Sequence, residues 1–125
     1  MTKMLRPVGF YSDTESGVPG QPLLSASCNK FSGATVEVVS YLKTAFHMLV
    51  SGSPVHDELD RTKPIIGALG SQADGVWFWP TTYPYYVERY RVEVPVELLE
   101  LAQLRNWIPP EFSEDANFED RVPFL

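Results

Sequence analysis

The sequence predicts an α+β fold: a single domain in which a small antiparallel sheet, with a hairpin around Asp74-Gly75, packs against about three helices. Three observations carry this. A chain of 125 residues, 44% hydrophobic and 21% charged, suits one compact core and is too short for two. Apolar residues recur with helical period in three places, after Gly33, around Tyr83 and after Pro95. Between the first two, short apolar runs flank Asp-Gly, a dipeptide of tight chain reversals.

The elements follow in order. Residues 11–33, rich in Ser, Gly and Pro, read as loop with room for at most one short strand around residues 22–25. After Gly33, Val36, Val38, Val39, Leu42, Ala45, Phe46, Leu49 and Val50 share one broad face at 100° per residue, which predicts an amphipathic helix. Glu37, Ser40, Thr44 and His47 fall opposite. The run 46–50, FHMLV, fits either the end of this helix or a buried strand, and SGSP at 51–54 ends the element in both readings. HDELDRTKP, 56–64, reads as a charged loop. A hairpin is expected next, with 65–69 paired to 76–79 and Pro80 stopping the strand for want of an N–H.

On that strand Trp77 and Trp79 share one side while Val76 and Phe78 share the other. Both sides being apolar, the strand is expected to be covered on both faces. Thr81 or Thr82 can cap the next helix, with Pro84 in its first turn. Tyr83, Tyr86, Val87 and Tyr90 form its inward stripe, leaving Tyr85, Glu88 and Arg89 pointing elsewhere. VEVP makes an extended link, and Pro95 opens a helix whose buried face takes Leu98, Leu99, Leu101, Ala102 and Leu104. The domain spans residues 1–125, with an acidic C-terminal tail at about 111–125.

Charge narrows the function classes. The net charge is −6, and residues 63–125 hold ten acids against five bases. In the tail, Glu111, Glu114, Asp115, Glu119 and Asp120 face only Arg121. Such a surface repels phosphate backbones and speeds encounter with a basic partner. The same charges also suit a solvated tail that aids solubility. No apolar run approaches the roughly 20 residues of a bilayer span, and no apolar stretch follows Lys3 and Arg6 as in a secretory signal, so a cytoplasmic protein is expected. Cys28 is the only cysteine, which excludes an intramolecular disulfide and a Cys-rich zinc site.

Catalytic patterns are sparse. On a helix, His47 would share a face with Ser40, Thr44 and Glu37, but no nucleophile turn or Gly-rich oxyanion loop accompanies it. His56 and Asp60 at i, i+4 could present one imidazole and one carboxylate, with no second motif to complete a metal sphere. No phosphate-cradling Gly-rich loop is present. The reading is therefore a non-enzyme with no metal and no cofactor. The alternative is a small hydrolase or transferase using His47 or His56 with neighbouring acids.

SGATVEVVSYLK at 32–43, followed by DGVWFWPTTYPYYVERYRVEVP at 74–95, resembles small bacterial immunity proteins paired with polymorphic toxins of the Rhs, contact-dependent and type VI secreted kinds. Where the resemblance leads one to expect a glycine soon after Lys43, this chain has Thr44-Ala45. It implies a protein that binds a cognate toxin and occludes its active site or substrate cleft, acting as a monomer or homodimer. A basic nuclease is one such toxin. The expected contact residues are Tyr85, the tyrosine turned from the stripe, with Glu111, Glu114, Asp115, Glu119 and Asp120.

Overall fold

The computed structural model describes residues 4–14, 17–113, 116 and 118–123, with Glu119 described by its backbone alone. Four strands, β1 (Arg6–Pro7), β2 (Phe46–His56), β3 (Ile65–Ala73) and β4 (Trp77–Pro80), form one sheet in the order β1-β4-β3-β2. Three helices join it: α1 (Thr35–Thr44), α2 (Tyr83–Tyr90) and α3 (Val96–Leu104). The chain is thus a single small α+β domain. β1 runs parallel to β4 while the other pairs are antiparallel, so the sheet is mixed where an antiparallel one was expected.

The alternation of β4 divides the interior in two. Trp77 and Trp79 face the helices, meeting Val39 and Leu42 of α1, Tyr83 and Val87 of α2, and Leu98 and Ala102 of α3 in one buried cluster. Phe78 faces the other way, into a smaller cluster with Leu5, Ala73 and Phe118. All four residues of β4 are buried, as two-sided coverage requires. The second face is covered by the acidic C-terminal segment, whose aromatics anchor it: Phe112 and Phe118 stack edge-on at 5.0 Å, and Phe46 meets them at 5.5 and 5.7 Å.

The turn at Asp74-Gly75 forms as predicted, with Gly75 at φ +93° and the Asp74 N–H bonded to the Trp77 carbonyl. Its pairing differs. Ser71, Gln72 and Ala73 oppose Pro80, Trp79 and Phe78, whereas Ile65, Gly67 and Ala68 pair with His56, Val55 and Pro54 of β2. The expected partner of 76–79 was therefore too early in the chain. β3 is long enough to serve two neighbours, its first part paired as a strand with β2 alone among the described residues and its last part also with β4.

The run 46–50 is strand, and α1 stops at Thr44 without a glycine. The stop comes from outside the segment. The buried Gln72 amide donates to the carbonyls of Lys43 and Ala45 at 3.0 and 3.1 Å, satisfying the helix end as the backbone turns extended at Ala45. Leu49 and Val50, assigned from helical period to a buried face, are consequently exposed, and Val36, assigned to the same face, is exposed in the first turn of α1. SGSP does not end β2, which continues to His56 through an irregularity at 51–53, with Gly52 at φ +81°. Pro54 is tolerated because β2 is an edge strand, where a missing donor leaves no ladder bond unmade.

Thr82 is the N-cap residue of α2, but its side chain makes no capping bond; the Thr81 hydroxyl bonds the Ala68 carbonyl instead. Residues 22–25 hold no strand: 22 and 23 are irregular and a turn begins at Ser25. On α3 Leu98 and Ala102 are buried, while Leu104, expected inside, is exposed because the helix ends there and the chain turns away.

Candidate functional site

Two carboxylates that read as surface charges are fully buried. Asp57, just after β2, accepts hydrogen bonds from the Leu59 and Asp60 amides on one oxygen, at 2.8 and 3.1 Å. Its other oxygen accepts the Tyr85 and Tyr90 hydroxyls, both at 2.7 Å. Burial alone would raise this carboxyl's pKa. The two phenols and two amides outweigh it and hold the pKa below the usual carboxylate value. The phenols respond in the opposite sense: burial and the bond to Asp57 push Tyr85 up to about 12, and the bond to Asp57 raises Tyr90. Beside them the Tyr86 hydroxyl accepts from the Glu58 amide and donates to the His56 carbonyl, at 3.0 and 3.3 Å.

Asp74 repeats the arrangement at the other turn. One oxygen accepts the Val76 and Trp77 amides at 2.9 and 2.6 Å, and the second accepts the Tyr41 hydroxyl at 2.7 Å. Arg105 of the turn after α3 donates to the Tyr41 hydroxyl and the Asp74 carbonyl, with its guanidinium 3.8 Å from the carboxylate. Both aspartates thus tie a hairpin turn to tyrosines on helices. Four donors on Asp57, and three on Asp74 with an arginine alongside, leave these oxygens committed to the fold.

His47 lies apart from these centres, whereas His56 adjoins Asp57 and joins its surroundings through its carbonyl. His47 stands exposed on β2 opposite Gln72, so the helical face it was to share with Ser40 and Thr44 does not exist. His56 closes β2, and Asp60 lies in the following turn, so their i, i+4 spacing is not helical. His56, Glu58, Tyr11 and Tyr86 line a cleft of about 30 Å³, room for a water-sized guest. Burial and the nearby Asp13 carboxylate raise the pKa of the Cys28 thiol, the reverse of an activated nucleophile. Among the described residues no three His, Cys, Asp or Glu side chains come together as a metal site, and no helix is long and apolar enough to cross a membrane.

What remains at the surface is a two-stranded arm. From Ile65 to Gly70, β3 pairs with no strand but β2 among the described residues, and along these two strands Leu49, Val50 and Ile65 are 54%, 70% and 66% exposed. At the root of β2, Phe46, Ile108, Pro110 and Phe112 line an open apolar groove of about 380 Å³, with Glu111 on its rim.

Of the residues expected to contact a partner, Glu111 and Asp120 are exposed on the side of the sheet covered by the C-terminal segment. Tyr85 belongs to the opposite, helix-bearing side, half-buried with its hydroxyl on Asp57. Glu114 and Asp115 lie outside the described residues, as does the Glu119 side chain. The exposed apolar residues of the arm were not singled out in the sequence. Pro54, inside the strand that begins with FHMLV, is the signal that points to an edge strand.

Comparison with protein-family models, curated proteins and solved structures gave no match.

Proposed function

We propose that the chain is an immunity protein, binding a cognate bacterial toxin domain in the cytoplasm and neutralising it by covering its active site or substrate cleft. The observation that carries this reading is the β2–β3 ribbon, which leaves Leu49 and Val50 exposed toward its root and Ile65 exposed at its far end, with an apolar groove at Phe46. Large apolar side chains exposed along an open sheet edge mark a surface that a partner completes. The net charge of −6 adds long-range attraction toward a basic toxin such as a nuclease, which accelerates encounter. The resemblance of residues 32–43 and 74–95 to immunity proteins points the same way, and the commitment of Asp57 and Asp74 to internal bonds favours binding over catalysis.

The test is co-expression with the toxin domain encoded beside this chain's gene. Rescue of growth and a stable co-purified complex are the expected outcome. Continued killing with no complex would overturn the proposal.

A further inference from the structure

We infer that β2 binds the toxin domain by accepting one of its extended segments as an added strand, which places an apolar side chain in the groove at Phe46 and a basic one against Glu111. This rests on the immunity reading and specifies how the partner docks.

The argument begins with the backbone. β2 is the terminal strand of the sheet, and among the described residues the main chain of 46–55 makes no hydrogen bond outside its ladder with β3. A strand edge of this kind presents a row of open N–H and C=O groups. Natural edges are usually guarded by charged side chains, yet residues 46–55, FHMLVSGSPV, contain no Asp, Glu, Lys or Arg. Its guards are a one-residue bulge between His47 and Leu49, the irregularity at 51–53 and Pro54, of which the last two lie at the far end. The stretch before that irregularity is bent by the bulge, and residues 46–51 span about 20 Å at roughly 3.3 Å per residue. In strand addition, main-chain bonds supply affinity and side-chain pockets supply specificity.

A pocket stands at the right place. The 380 Å³ groove shares Phe46 with the start of the open edge, so a segment laid along β2 runs into it. Its walls are Phe46, Ile108, Pro110 and Phe112, which suit an apolar side chain, and Glu111 on the rim suits a cation. Among the described residues no Lys or Arg pairs with Glu111. Charge also selects the occupant. A second copy of this chain would bring the same net charge of −6, and its β2 has no Lys or Arg to offer Glu111. A basic partner strand satisfies both the edge and the rim.

The experiment uses the full chain with the adjacent toxin domain, purified with its active site disabled. Amide hydrogen exchange of residues 46–51 is compared in the free chain and in the complex, beside binding titrations of Glu111→Lys and Val50→Pro. Expected are strong new protection across 46–51, about a tenfold affinity loss for Glu111→Lys and at least a hundredfold loss for Val50→Pro. Glu111→Lys changes an exposed side chain and keeps the test valid if Val50→Pro misfolds. A complex that forms and neutralises the toxin while 46–51 stay unprotected overturns this docking mode and leaves the immunity reading standing. Absence of any complex overturns both. Protection of 46–51 in the free chain that rises with its own concentration assigns the edge to a second copy and overturns the proposal.

Discussion

The Tyr85 hydroxyl donates to the Asp57 carboxylate at 2.7 Å, joining α2 to the turn between β2 and β3 across 28 residues of chain. Tyr90 donates to the same oxygen from the next turn of the helix. The closed end of the β2–β3 ribbon is therefore held to the helical layer by a buried anion with two phenol donors.

Removing either donor weakens that attachment. Tyr85→Phe and Tyr90→Phe should each lower stability by about 1.5–3 kcal/mol, the range for a hydrogen bond to a charged group. Because both act on one oxygen, the double variant should lose more than the sum of the two, its carboxylate oxygen being left buried without a donor. Urea unfolding of the four proteins in the cycle measures this. Strict additivity would mean that the two bonds are independent.

Asp57 also sets a pH dependence. Its folded pKa lies below the ordinary value of 3.8, so its stabilisation is present above that value and lost as pH falls through the lower folded value. Melting temperature should drop in acid, and Asp57→Asn should remove part of that drop. The phenols act at the other extreme. Tyr85 and Tyr86 are raised to about 12, so their contribution is complete below pH 10 and is lost as pH climbs toward 12. Tyrosinate absorbance measured alongside melting follows this limb. An alkaline limb unaltered in Tyr85→Phe would remove Tyr85 from it.

Asp74 has no exposed surface, and its oxygens serve Val76, Trp77 and Tyr41. Asp74→Ala strands these three donors and leaves Arg105 beside a neutral site. The expected cost is about 3–5 kcal/mol, the scale of breaking a buried charged network. Asp74→Asn keeps one acceptor oxygen and should cost less. Equal losses in chemical denaturation would show that the charge, rather than the acceptor, is what matters.

Gln72 makes a sharper test of how α1 ends. With Gln72→Ala the carbonyls of Lys43 and Ala45 lose their amide donor, at a cost of about 1–3 kcal/mol. Amides in the last turn of α1 should exchange faster while those of α2 keep their protection. Uniform change across both helices would indicate global destabilisation instead.

Nearby sequence settles the elements whose cause is local. The stripe Tyr83, Tyr86, Val87 and Tyr90 repeats within two helical turns, its first three buried and Tyr90 half-buried against the core, Asp74-Gly75 supplies its own turn geometry, and Trp77, Phe78 and Trp79 alternate with the period of a strand buried on both faces. Each follows from a window of a few residues, and each stands in the structure. The run 46–50 is different, since its composition fits helix and strand alike. Its choice is made by Gln72, 27 residues beyond Ala45, whose amide closes α1 and lets the chain leave as β2. Asp57 and Asp74 belong with it. In sequence they are turn aspartates, and only the arrival of Tyr85, Tyr90 and Tyr41 on packed helices makes them buried anchors. The exposed arm has the same origin: periodicity says that Leu49 and Val50 are apolar, but which face they show depends on a helix end written elsewhere in the chain.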